Sequence, residues 1–231
     1  MPVEVALAWT LGALLVAVLG SAALGVPAVI MCLGTAVAVM LYNAALRFLP
    51  AVGLVMLGLI YGAHMMAANV HLAFIWPVWL SMTHALFAGA VTHRLRGARP
   101  ALNGGTLAAA VLAYAVWSAV LIFVGWRRMG GPWPEWELSP LAAILPSILA
   151  VGFIVLAWRK SRTAGTSRAA ADKVQRYAAL WLALYAAGWM LGAGHRGEAL
   201  LLGGLALAGF LGMTVLRELF SLIEHPVGYR R

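Results

Sequence analysis

The chain carries eight long apolar runs, each close to the length that a helix needs to cross a bilayer. They extend from about Val3 to Leu24, Val26 to Leu41, Ala51 to Ala68, Ala73 to Val91, Thr106 to Trp126, Leu138 to Trp158, Tyr177 to Gly194 and Ala199 to Leu216. In hydrocarbon, backbone amides and carbonyls must find partners inside their own segment, which a helix provides. Strands of a lipid-facing barrel would alternate apolar and polar residues, and these runs do not. Hydrophobic residues make up 64% of the 231 and charged residues 10%, whereas a soluble domain is about half apolar. The expected architecture is therefore all-α: one domain, residues 1-231, built as a polytopic transmembrane helical bundle of about eight spans.

Local signals refine this. Glu4 stands at the start of the first run and no positive segment leads into it, so that run is expected to be a retained span rather than a removable signal. Gly25, Val26 and Pro27 break the chain between the first two runs, which predicts a tight helical hairpin. Cys32 stands alone within an apolar run, which leaves no disulfide framework and no cysteine metal site within the chain.

The formal charge of +9 suggests nucleic acid at first sight, but the 16 Lys and Arg lie between apolar runs, where they act as topology signals. If successive runs cross the membrane in alternate directions, 13 of the 16 fall on one side. These are Arg47; Arg94, Arg96 and Arg99; six between Arg159 and Arg176; and Arg217, Arg230 and Arg231. Arg127, Arg128 and Arg196 fall on the other. The bias predicts that both termini lie inside, in the cytoplasm of a bacterium with this chain in its inner membrane. The stretch from Trp158 to Arg176 reads as a basic cytoplasmic loop that ends in a helix-like stretch, a connector facing lipid headgroups or, alternatively, a docking site for an acidic partner. The outer loop from Met129 to Pro140, with Trp133 and Trp136, reads as an interfacial anchor.

Polar residues are few enough to enumerate. All seven acids (Glu4, Glu135, Glu137, Asp172, Glu198, Glu218 and Glu224) lie in loops or near span ends, so no carboxylate is available at mid-membrane for a proton relay. His64 and His71, seven apart, share a helix face; His84 lies inside the fourth run and His93 at its inner mouth. A neutral imidazole can ligate haem or a chlorin, which makes His64 and His84 candidate cofactor ligands. The alternative is that they hydrogen-bond to neighbouring helices, with Tyr42, Asn43, Tyr61 and Asn69 as available partners. No phosphate loop, nucleophile elbow or metalloprotease histidine pair is present.

The segment from Leu41 to Ala68, LYNAALRFLPAVGLVMLGLIYGAHMMAA, resembles part of the UbiA-type prenyltransferase superfamily. There a helix ends in Tyr-Asn or Tyr-Asp, a basic residue follows, and the next helix starts at Pro or Gly; Tyr42, Asn43 and Arg47 occupy those positions. The resemblance implies a helical bundle with a cavity for an isoprenoid and an anion site at the cytoplasmic face. It also implies Mg²⁺ held by two Asp-rich motifs, and here this chain departs from the pattern. The N-terminal helix pair that would bring the first motif is missing, and the loop expected to bring the second, Thr92 to Asn103, contains no acid. Magnesium favours hard oxygen ligands, so this chain alone is not expected to hold it or to ionise an allylic diphosphate. Arg94, Arg96 and Arg99, with Arg47, remain as groups for an anionic headgroup.

The leading expectation is thus a UbiA-like, catalytically degenerate accessory or structural subunit of an inner-membrane complex. Its partners would be membrane lipids, other membrane chains, and a quinone, carotenoid or polyprenyl ligand. Three alternatives stand beside it: a split prenyltransferase completed by a partner chain, a haem- or pigment-binding subunit ligated through His64 or His84, and a channel or carrier, for which the sequence offers little polar path.

Overall fold

The structure, a computed structural model, describes residues 3-69, 74-131, 140-163 and 166-224. Among these residues there are eight α-helices and no strand: α1 (Val3–Ala22), α2 (Val26–Ala44), α3 (Pro50–Asn69), α4 (Ile75–Arg96), α5 (Gly104–Met129), α6 (Ile144–Thr163), α7 (Ser167–Gly192) and α8 (Arg196–Glu224). Short 3-10 turns at Leu46–Phe48 and Pro140–Ala143 lead into α3 and α6. Five helices are long and apolar enough to cross a membrane: α2, α3, α5, α6 with its leading turn, and α8. A shorter apolar stretch, Leu7–Ala22, lies in α1. Large apolar side chains such as Val16, Ile30, Met40, Leu112, Ile148 and Leu200 stand largely exposed on these helices. Such a coat suits a hydrocarbon solvent.

Helix ends follow from local chemistry. Gly25, at φ 100°, makes the turn between α1 and α2, and Pro27 opens α2 where its missing N–H costs nothing. Gly97, at φ 59°, caps α4 in the left-handed conformation, its amide donating to the carbonyls of His93 and Arg94. Asn103 caps α5 by accepting from the Thr106 amide at 2.8 Å, and Thr166 caps α7 by accepting from the Ala169 amide at 3.1 Å.

That last cap lies within the basic stretch from Trp158 to Arg176, whose end reads as helix-like in the sequence. Within it, α6 continues to Thr163 and α7 begins at Ser167. The reason is a short buried stripe: Ala170, Ala171 and Val174 lie on one helical face, at most 1% exposed, while Arg168 and Asp172 stay outside. The basic residues leave the helices sideways. Arg162 sits 4.4 Å over the Trp158 ring and Lys160 5.8 Å over the Tyr177 ring, both with their stems along apolar surface.

The centre of the bundle is formed by α4 and α7, packed against each other. Helix α3 lies on the outer side of α4, α5 touches both, and α6 and α8 flank α7. In lipid no hydrophobic drive pulls helices together, so close approach and polar links must do it. Gly58 and Gly62 let α3 meet α4 at Met82 and Val78, and a Cβ at Gly58 would come within 3.1 Å of the Met82 carbonyl. The hydroxyls of Thr83 and Tyr114 are hydrogen-bonded between α4 and α5, and Trp79 Nε1 donates to Ser118 Oγ at 3.2 Å. Between α6 and α7, Trp181 Nε1 donates to the Leu149 carbonyl at 2.7 Å. Phe153 of α6 is buried with Ala88, Ala157, Val174 and Ala178 where α4, α6 and α7 converge.

Candidate functional site

A cavity of about 450 Å³ opens at the end of the bundle where α2 and α4 finish and α3 and α7 begin. Its mouth is basic and its interior apolar. Arg47, His93, Arg96 and Arg99 line it, together with Leu54, Leu57, Ala85, Ala88, Gly89 and Ala178. Tyr42 of α2 and Tyr61 of α3 complete the walls, and none of the lining residues is acidic.

Each cation is placed by its own local device. Arg47 rides on the 3-10 turn before α3, with its guanidinium 4.7 Å over the Phe48 ring. The turn sits tightly on α3: the Gly53 amide donates to the Leu49 carbonyl, and a Cβ at Gly53 would fall 2.6 Å from the Leu46 carbonyl oxygen. Only glycine fits there without moving the backbone. Arg99 belongs to the segment after α4, which His93 holds by donating from Nε2 to the Pro100 carbonyl at 3.0 Å. Arg96 ends α4 and reaches α7, where Nη2 meets Asp172 Oδ1 at 3.0 Å and also donates to Gln175 Oε1.

His84 lines the interior, bridging α4 and α7. Its Nε2 lies 3.0 Å from the Ala178 carbonyl and its Nδ1 3.1 Å from the Tyr185 hydroxyl. A carbonyl only accepts, so in the neutral ring Nε2 carries the hydrogen and Nδ1 accepts from Tyr185. Both nitrogens are thereby committed within the protein, and no lone pair faces the cavity for a metal. Phe153 packs on the ring at 4.3 Å between centroids.

The cavity thus gathers Tyr42, Arg47, His84, Arg96 and Arg99, five positions singled out from sequence. Three others lie outside it. Arg94 is exposed on α4 and does not line the cavity; Asn43 is exposed, donating to the Val39 carbonyl of its own helix at 2.9 Å; His64 is exposed on α3. His64 and His84 do not share a ligand space. His71, Trp133, Trp136, Arg230 and Arg231 lie outside the described residues.

Sequence reasoning missed Asp172 and Gln175 as partners of Arg96, since neither lies near it in the chain. One signal was present. Ala85, Ala88, Gly89, Thr92 and Arg96 recur at helical spacing of three or four, forming a small-residue face that ends in a cation.

Chemically, the arrangement suits an amphiphile. The Arg96 charge is offset by Asp172, while Arg47 and Arg99 have no carboxylate beside them in the lining. An anionic head can accept from these guanidinium groups, and an apolar tail can occupy the alanine-lined interior. The lining supplies hydroxyls and guanidiniums but no carboxylate, a poor donor set for Mg²⁺. Compared with known protein families, with curated proteins and with solved structures, the chain finds no match.

Proposed function

We propose that this chain is a UbiA-like integral membrane protein, inactive as a prenyltransferase by itself, that binds an anionic isoprenoid lipid as an accessory subunit of an inner-membrane complex. The observation that carries the reading is the cavity: a basic mouth at Arg47 and Arg99 over an apolar interior, walled in part by the segment that resembles the superfamily. The acid-free lining supports a binding role over ionisation of a diphosphate, because charge stabilisation by carboxylate-held metal has no donors there. The engagement of both His84 nitrogens weighs against a haem- or chlorin-ligating role for that residue.

In this reading all eight helices cross the membrane and both termini are cytoplasmic. The cavity mouth then faces the cytoplasm, at the level of anionic headgroups. The test is purification in mild detergent followed by mass spectrometry of the lipids retained. A phosphate-headed polyprenyl lipid is expected with the wild type, and R47Q/R99Q should lower its retention by about tenfold or more, the effect of removing charge-assisted hydrogen bonds. No retained amphiphile, or retention indifferent to R47Q/R99Q, overturns the proposal. Co-purifying membrane chains in the same preparation would identify the complex.

A further inference from the structure

A second basic site lies on the outer side of α7, away from the cavity. A hollow of about 140 Å³ between α7 and α8 is lined by Arg176, Tyr177, Leu180, Phe210, Met213 and Thr214. A second hollow, of about 330 Å³, is lined by Ala169, Asp172, Lys173 and Arg176. Arg176 lines both, so the two hollows adjoin at that side chain.

Their electrostatics are unbalanced. Lys173 and Arg176 are half-buried, yet neither makes a hydrogen bond or ion pair among the described residues. Asp172, the sole acid in the lining, turns its Oδ1 to Arg96. The more exposed Arg96 thus takes the only Asp of the chain, and two less exposed cations go without a counter-charge. Lys160 adds a third positive group over the Tyr177 ring. Neighbouring cations with stems against apolar surface and no counter-charge beside them leave a place for an anionic group from outside the chain.

Below the charged rim the surface is apolar. Tyr177 and Phe210 stack at 6.3 Å with ring planes 20° apart, and Leu180 continues the wall one turn further along α7. The rim lies at the same end of the bundle as the cavity mouth, since Asp172 joins it to Arg96. Charge above and an apolar slot below match a lipid of the surrounding bilayer better than a free anion.

We propose that the α7–α8 hollow is a binding site for one anionic phospholipid, with its phosphodiester between Lys173 and Arg176 and an acyl chain along Tyr177, Phe210 and Leu180. A zwitterionic lipid would bring its own cation against Lys160, Lys173 and Arg176, so the site discriminates by headgroup charge. The site is independent of the isoprenoid cavity.

The full chain is titrated in mild detergent with phosphatidylglycerol, and separately with phosphatidylcholine, while native mass spectrometry counts bound lipid. The wild type should retain a phosphatidylglycerol that phosphatidylcholine does not replace. K173Q/R176Q should weaken that step by about tenfold. The charge-keeping K173R/R176K should restore it, and R168Q, an exposed charge outside the lining, should leave it unchanged. The step should also persist in R47Q/R99Q, which separates it from the cavity. Equal retention of the two lipids, an unchanged step in folded K173Q/R176Q, or an equal loss in R168Q overturns the proposal. If K173Q/R176Q does not fold, R176Q alone is read in the same way.

Discussion

Arg96 Nη2 and Asp172 Oδ1 meet at 3.0 Å although 76 residues separate them, joining the end of α4 to the start of α7. The two side chains are 43% and 56% exposed. An ion pair this open is screened by solvent and contributes at most about 1 kcal/mol. Asp172→Asn should therefore shift the detergent melting curve by no more than that. Retention of the anionic amphiphile should rise, because Arg96 no longer has a competing carboxylate. A fall in retention would show that Asp172 holds Arg96 in its binding position instead of competing for it.

Tyr185→Phe removes the hydroxyl that serves His84 Nδ1 and leaves a buried acceptor without its partner. The expected cost is about 1–3 kcal/mol, the penalty for an unsatisfied buried polar group. Thermal unfolding followed by fluorescence in detergent measures it. A Tyr185→Phe protein as stable as wild type would show that the α4–α7 bridge rests on the Ala178 carbonyl alone.

Gly53→Ala pushes a methyl to 2.6 Å from the Leu46 carbonyl oxygen, where backbone must move. The 3-10 turn carrying Arg47 should shift, with a stability loss of about 1–3 kcal/mol and weaker amphiphile retention. Gly12 has nothing within 4 Å of the same position, so Gly12→Ala should be neutral or stabilising by up to about 1 kcal/mol. Equal effects from the two substitutions would remove the steric argument.

Ala179→Leu places a larger side chain on a cavity wall at an exposed position. Helix α7 should tolerate it, with melting changed by no more than about 0.5 kcal/mol. Lipid retention should fall because the tail loses space. Unchanged retention, read by mass spectrometry against the wild type, would mean that the tail lies elsewhere.

Much of the helical framework was legible because hydropathy and chain breaks act locally. Gly25 and Pro27 mark the α1–α2 hairpin where the structure has it. Arg47 was singled out through the resemblance and Arg96 and Arg99 through their loop, and all three line one cavity because α2, α4 and the turn before α3 end at the same level. What stayed hidden depends on contacts between distant residues. His84 and Tyr185 lie 101 positions apart, and nothing in either segment names the other. The early start of α7 was obscured for a different reason: its buried stripe of Ala170, Ala171 and Val174 is too short, and set among too many charges, to register as an apolar run. Arg94 differs from Arg96 only by helical phase, and two residues turn a side chain to nearly the opposite face.

The placement of α4 and α7 at the centre has a consequence for biogenesis. These two helices carry Ser81, Thr83, His84 and Thr92, and Tyr177 and Tyr185, whose polar groups are costly to present to hydrocarbon. During synthesis α4 emerges before α7, one of its two principal partners, has been made. It can pack first on α3 and, through Thr83 and Tyr114, on α5, but His84 finds the Ala178 carbonyl and the Tyr185 hydroxyl only when α7 arrives. The bridge at the centre of the bundle is thus among the last contacts to form, closing only once the seventh helix has been made.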